Sequence, residues 1–544
     1  MKIHRSPRPI LSLFFVTILF LGLSNCSRST EKQESVLKSL NQSLVSRLPE
    51  TTFAFFKWDG GSEPYQRLLK SPWAGTGDVS VYLGQHSEAF EDVAKLLQAA
   101  GVDIKKESFW TQTFSEAVFF ISPSVDESSQ TIEKGVVLAP KNKDIPQLFK
   151  ALRAALGKKE ISVTEVKAEG VLEAVEFNVE RDGKKEKFVV GRSDKLVALA
   201  QSSSMVQSII RSKAKTSPRL VELASKAGIF ENLPNKKNRF AIGVIDFDSL
   251  PGIAINNVSQ GASGVALCSM AMLKTPVTDF RYKPGKSSSF SAWQTKSNGK
   301  EGLDLLKSVR TKPLLYLDSD GVSIERIIQT LQARAKDKSY AENLADLEIP
   351  SRFSLAIDAK SSAKSFLPIP DFYLVFKTNN PSKLSGQLES LIGNIIKTQG
   401  ALGGMAWSDK QIAEGVAVKM LASPIGFSIY LGTGGDRVVL SSSEVFLKNE
   451  MTSPGTADPK SVFKSGALGS LSAQASLGNA LIDFNELAVL LESVGGTLRM
   501  FAPQQQSGQE ILEEENIKKL KGLGALVAEI RLKKEILSVH SYYE

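Results

Sequence analysis

Short runs of β-branched and aromatic residues recur along the chain at strand length, among them FAFF (53–56), AVFFI (117–121) and EKFVV (186–190). Bounded by polar turn residues, such runs predict β-strands. VVGRSDKLVALA (189–200) and IYLGTGGDRVVL (429–440) predict hairpins, because the Gly and Asp at their centres accept the φ > 0 of a tight turn. A different period marks QLFKALRAAL (147–156), where Leu148, Leu152 and Ala155 return at helical spacing. Hairpins dominate the pattern. It predicts an α+β fold of two duplicated lobes, each a mainly antiparallel sheet with helices packed on it.

The duplication is read from the order of matching phrases. FAFFKWDGGS (53–62) is answered by LLYLDSDGVS (314–323), with Asp59, Gly60 and Ser62 matching Asp320, Gly321 and Ser323. The tetrapeptide AEGV occurs at 168–171 and 413–416, VIDFDSL (244–250) parallels LIDFNEL (481–487), and FVVGRSDKLVALAQSSS (188–204) parallels SIYLGTGGDRVVLSSS (428–443). GVALCSMAMLKTPVTDFRYK (264–283) parallels GALVAEIRLKKEILSVHSYY (524–543). The expected organisation is a leader over 1–25, a polar tether over 26–35, a first repeat over 36–300 and a second over 301–544. FSAWQT (290–295) reads as a strand between the repeats, and APQQQSGQEILEEEN (502–516) as a polar insert in the second.

The start of the chain differs from the rest. Lys2, Arg5 and Arg8 precede the apolar run Ile10–Leu23, which is shorter than the roughly 20 residues of a membrane span and has the proportions of a secretory h-region. Leu23-Ser24-Asn25-Cys26 follows at once and resembles the lipobox of bacterial lipoproteins, with Asn25 where that family has Gly, Ala or Ser. The resemblance implies that Cys26 receives a lipid and becomes the first mature residue; the competing reading is an ordinary leader cut after Ser24. Several acyl chains, at roughly 0.8 kcal/mol per buried methylene, hold a protein stably on a bilayer. The expected location is therefore outside the cytoplasm, anchored to a bacterial membrane, with the outer membrane favoured and the chain facing the periplasm or the surface.

Charge changes this picture little. Without the leader, 64 of the 67 Lys+Arg residues stand against 58 acids over more than 500 positions. That balance is too dilute to imply nucleic acid, and KKNR (236–239) and RDGKKEK (181–187) read as solvated turns. Cys268 is the only cysteine besides Cys26, so no intramolecular disulfide framework is expected.

Chemistry is hard to find in the sequence. Beyond the leader only His86 and His540 remain, the first near a helix start and the second in a final strand, where neither points to a catalytic pair. Cys268 lies in GVALCSMAM with Ala266, Met270 and Met272 on one strand face, a core position. PGKSSS (284–289) has Phe280 where a P-loop needs Gly, and LGTGGD (431–436) has Arg437 in place of the last glycine of GxGxxG. The acids and serines read as caps and turns: Asp59 and Asp320 in turns, with Ser62, Ser323, Asp248 and Asn485 capping the segments after them. No cofactor and no metal site is expected. Trp58, Trp73, Trp110, Trp293 and Trp407 are candidate exposed anchors, with core packing expected for most.

LPETTFAFFKWDG (48–60), LLQAAGVDIKKESFWTQTFSEAVFFIS (96–122) and the IDF strand ends resemble a family of uncharacterised bacterial envelope proteins, grouped as a domain of unknown function. The resemblance implies an exported α+β protein and brings no catalytic residues. The functional expectation is a membrane-anchored, non-enzymatic binding or interaction module whose partner is an envelope protein, a lipid or cell-wall polymer. The alternative is a histidine-independent hydrolase using Ser/Lys or carboxylates, for which the SSS triplets at 202–204, 287–289 and 441–443 supply nucleophiles.

Overall fold

The computed structural model describes residues 30–73, 114–125, 132–140, 149, 164–165, 171–181, 184–212, 218–249, 263–285, 305, 308–309, 312–320, 325, 346–358, 370–398, 405–414, 416–423, 426–456, 476–501, 514–533 and 535–543. It comprises two compact units, one within Cys26–Ser291 and Lys534–Ser538, the other within Ala292–Lys533 and Val539–Glu544. The leader, Trp110, Trp293, FSAWQT and nearly all of QLFKALRAAL and of the 502–516 insert lie outside the described residues.

The first unit runs β1 (Thr30–Glu31), α1 (Gln33–Asn41), a 3-10 turn (Leu44–Arg47), β2 (Ala54–Trp58), α2 (Glu63–Leu69), β3 (Phe114–Pro123), β4 (Ile132–Pro140), β5 (Thr164–Glu165), β6 (Glu173–Arg181), β7 (Lys184–Arg192) and β8 (Val197–Ala200). It continues with α3 (Ser203–Arg211), α4 (Arg219–Lys226), β9 (Leu233–Pro234), β10 (Arg239–Asp246), β11 (Gly264–Met272) and β12 (Pro276–Pro284). Apart from the small β1–β9 pair, the strands form one antiparallel sheet in the order β12-β11-β10-β2-β3-β4-β8-β7-β6-β5.

The second unit contains β13 (Leu315–Asp320), β14 (Arg352–Ile357), β15 (Phe372–Lys377), α5 (Pro381–Thr398), β16 (Trp407–Ala413), β17 (Val416–Ala422), β18 (Ser428–Gly434), β19 (Arg437–Ser441) and α6 (Glu444–Thr452). β20 (Ser476–Asp483), α7 (Phe484–Phe501), α8 (Glu514–Lys521) and β21 (Ala525–Lys533) follow; of the last strand, β22 (Ile536–Tyr543), residues 539–543 belong to this unit and 536–538 to the first. Its antiparallel order is β21-β20-β13-β14-β15-β19-β18-β17-β16. With β13 in the place of β2, β14 of β3, β19 of β8 and β20 of β10, this repeats the strand order of the first unit.

The α+β expectation is corrected by these sheets. Among the described residues, twenty-two strands stand against eight α-helices, so each unit is sheet-dominated. The physical reason is burial on both faces. β8, β10 and β19 are buried at nearly every position, so consecutive apolar residues serve two cores rather than one. One core of the first unit gathers Val36, Leu40, Phe55, Ile209 and Ile242, and a second, rich in aromatic residues, gathers Trp58, Tyr65, Phe177, Phe188 and Phe240. The described helices of the first unit are seven to nine residues long and pack on the sheet.

Glycine sets two matching corners. Gly264 (φ 104°) and Gly524 (φ 74°) open the approach to β11 and β21, and a Cβ on Gly264 would meet the Lys283 carbonyl oxygen at 2.2 Å. No described helix is long and apolar enough to cross a membrane.

Candidate functional site

A buried cluster of charged and polar side chains lies on one face of the second unit's sheet. Asp318 sits in mid-strand on β13, buried, opposite Ser354 of β14 and Asn479 of β20. Arg352, two residues before Ser354, ion-pairs with Asp318, its Nε lying 3.2 Å from Oδ1. Asn479 donates from Nδ2 to the other carboxylate oxygen at 2.8 Å. Burial holds the Asp318 carboxyl above the usual aspartate range, with Arg352 pulling it back. Burial, and then the charge of Asp318, push the Tyr316 phenol up as well.

A second ion pair stands on the same face. Arg437 opens β19 and pairs with Glu450, which α6 carries over the sheet, and both are buried. Ser308 donates to Glu450 Oε1 at 2.8 Å and accepts from Arg437 Nη1 at 3.0 Å. Two cations and two anions are thus compensated inside the unit. A buried pair of this kind fixes the position of strand and helix, because separating it would leave an uncompensated charge.

The corresponding positions of the first unit reverse or remove these charges. Lys57 takes the place of Asp318, directly opposite Val118 of β3, and Glu116, two residues before Val118, takes the place of Arg352. Lys57 pairs with Asp59, and its Nζ lies 3.9 Å from Glu116. The Leu44 N–H donates to Glu116 Oε1 at 2.7 Å. Burial raises the Glu116 carboxyl above its ordinary range against the opposing pull of Lys57. Where the second unit has Asn479, Arg437 and Glu450, the first has Ile242, Leu196 and Ile209, all in one apolar core.

The sites expected from sequence fare unevenly. Cys26, Ser323, His86 and SSS 287–289 lie outside the described residues. Asp59 is in the turn before α2 as expected, its carboxylate engaged by Lys57. Gly60 is required beside it, since a Cβ there would stand 2.4 Å from the Trp58 ring. Ser62 occupies the N-cap position of α2, but its hydroxyl donates to the Asp59 carbonyl at 2.7 Å and caps no N–H.

Asp320 ends β13, buried opposite Arg352, and the turn expected to follow it lies outside the described residues. Asn485 lies inside α7 and is not its capping side chain, and the segment Asp248 was expected to cap (250–254) lies outside the described residues. Asp246 accepts from the Asp248 N–H at 3.0 Å and from the Ser249 hydroxyl at 2.6 Å. Asp483 accepts from the N–H groups of Asn485 and Glu486 at 2.9 and 3.1 Å, at the start of α7. In the second unit the acid two positions before Asn485 caps the helix. Lys312 binds Asp483 at 2.5 Å; burial works against its charge, but Asp483 and Glu486 together raise the ammonium's pKa.

Two of the serine triplets cap helices. Ser202 accepts from the Met205 N–H at 3.1 Å and donates to the buried Glu133, while Ser443 accepts from the Phe446 N–H at 3.3 Å. Cys268 is partly exposed on β11, and burial of the thiol, then Asp279, push its pKa up to about 12, which keeps it protonated and a poor nucleophile. His540 is a buried residue of β22. Trp58 is core, Trp73 packs beside the same core, and Trp407 donates its indole N–H to the Glu389 carbonyl at 3.0 Å. Among the described residues no group of three His, Cys, Asp or Glu side chains is arranged to hold a metal ion.

The buried pairs were missed by sequence reasoning, although the signal was present. Aligning FAFFKWDGGS with LLYLDSDGVS sets Lys57 against Asp318 at the constant offset, a charge reversal in mid-strand that a solvated position has no reason to balance elsewhere. No protein-family model, curated protein or solved structure matches the chain.

Proposed function

We propose that the chain is an exported lipoprotein, anchored through Cys26, that acts as a non-enzymatic binding or interaction module of the bacterial envelope. The observation that carries this reading is the basic start, the apolar run Ile10–Leu23 and the Leu23-Ser24-Asn25-Cys26 that follows. Binding over catalysis is supported by the described interior. Asp318 and Glu450 are neutralised by Arg352 and Arg437, and Ser202 and Ser443, from two of the three serine triplets, serve as helix caps. Partners therefore meet exterior surfaces, whether envelope protein, lipid or cell-wall polymer.

The test is mass spectrometry of the mature N-terminal peptide from the native envelope. A first residue Cys26 carrying acyl groups is expected, together with a shift of the Cys26→Ser variant from the membrane to the soluble fraction after a high-salt wash. A mature chain retaining unmodified Asn25 overturns the anchor. Native mass spectrometry after mild-detergent purification then identifies the class of any bound partner.

A further inference from the structure

The segment expected to be a loose polar tether is held in place from Thr30 onward. Thr30 and Glu31 pair antiparallel with Pro234 and Leu233, and Gln33 donates to the Ser225 carbonyl and hydroxyl at 3.0 and 2.6 Å. Only Ser27, Arg28 and Ser29 separate the anchoring Cys26 from this clasp. The four steps from Cys26 to Thr30 reach at most about 14 Å even when fully extended. If Cys26 is embedded at a bilayer surface, the first unit is held against that surface at the clasp.

The register of the clasp decides which side faces the lipid. Going back from Glu31 to Thr30, toward the anchor, the partner strand advances from Leu233 to Pro234 and into Asn235, Lys236 and Lys237. Both lysines are exposed. Three segments converge there. The Met272 N–H donates to the Asn238 carbonyl at 2.8 Å, bringing the turn that carries exposed Lys274 alongside. Arg67 from α2 donates to the Met272 carbonyl at 3.0 Å and to Asn238 Oδ1 at 3.4 Å.

The result is a cationic patch of Arg67, Lys236, Lys237 and Lys274. Among the described residues its acidic neighbours are few, and Asp59 is held by Lys57. Glu63 stands 3.9 Å from Arg67, and Glu116, which feels the charge of Lys236, is already engaged by Lys57 and the Leu44 N–H. Glu34 and Glu231 lie toward the other end of the clasp. We infer that this patch docks on the anionic headgroups of the membrane that holds the anchor. The inference rests on the lipoprotein reading for its geometry and on charge complementarity for its partner. Each lysine brought to an anionic leaflet favours binding by roughly fivefold.

The experiment removes the lipid so that the patch is read alone. The mature chain carrying Cys26→Ser is mixed with vesicles of phosphatidylcholine alone or with phosphatidylglycerol added, and bound protein is measured by flotation. Binding to the anionic vesicles only is expected. The triple variant Lys236→Glu, Lys237→Glu, Lys274→Glu should weaken it by about 100-fold, with added salt acting in the same direction. A charge-matched control, Lys134→Glu, Lys187→Glu, Lys195→Glu, reverses exposed lysines on other strands and turns of the same unit and should have a much smaller effect. Equal binding to both vesicles, or equal losses in the two triple variants, overturns the docking face. Neither outcome bears on acylation of Cys26, which the N-terminal peptide reports separately.

Discussion

The two units thread the same strand order through different interiors. Under α3 the first unit packs Leu196, Ile209 and Ile242; under α6, at the same strand and helix positions, the second packs Arg437 and Glu450, with Asn479 beside Asp318. Between β2 and β3 the first has Lys57 and Glu116, and between β13 and β14 the second has Asp318 and Arg352, with the signs exchanged. The shared topology demands that these positions be buried and mutually compatible, and it leaves their chemistry open. Apolar pairs and ionic pairs satisfy the same geometry, because what a buried site punishes is an unmatched charge.

The comparison is broken or sharpened first where the expected effect is largest. Glu450→Ile alone leaves Arg437 buried beside an apolar group and should destabilise the second unit by about 3–5 kcal/mol in urea unfolding. Arg437→Leu with Glu450→Ile copies the first unit's chemistry into the second. It should recover that loss and end neutral or more stable than wild type by about 1–4 kcal/mol. A double variant as damaged as the single one would show that the two positions are not equivalent.

The next largest effect is the exchange of signs. Asp318→Lys and Arg352→Glu should each be severe alone and milder together, with a coupling of about 1–3 kcal/mol in a double-mutant cycle.

The caps come after that. Ser202→Ala, Ser443→Ala and Asp483→Ala should each cost about 1 kcal/mol. Asn485→Ala and Ser62→Ala, whose side chains accept no capping N–H, should stay within about 0.5 kcal/mol.

Smallest is a pH effect confined to the first unit. Glu116 has a folded-state pKa above its unfolded value of about 4.5, so the folded form holds its proton longer. Between the two values the native state binds more protons, and stability falls as pH rises through that window. Glu116→Gln should flatten this part of the stability–pH curve; an unchanged slope would place its origin in another group.

Much of the sheet was legible in the sequence because its signal is local. VVGRSDKLVALA folds as the β7–β8 hairpin and IYLGTGGDRVVL as β18–β19, the turns falling at the polar residues. The caps were less legible. Asp483 and Asn485, two positions apart, both look able to cap, and only the backbone path selects Asp483. The ionic interior was least legible of all. Arg437 directly follows a Gly-Gly-Asp turn and reads as solvated, and only α6, returning from later in the chain, brings Glu450 over it. The class was misjudged for a related reason: uninterrupted apolar strands such as VALA (197–200) look the same in sequence whether helices cover one face or cores fill both.

The placement of β2 also sets an order in time. It is an inner strand, hydrogen-bonded on one edge to β3 and on the other to β10, which begins at Arg239. A growing or threading chain therefore carries FAFFKW with one edge open until more than 180 further residues have followed it. Pairings this distant in sequence form slowly, and an open apolar edge recruits other strands in the meantime. The same delay recurs for β13, which waits for β20. Each unit thus passes through a vulnerable interval before its centre closes, and a protein cut short before Arg239 should aggregate rather than fold.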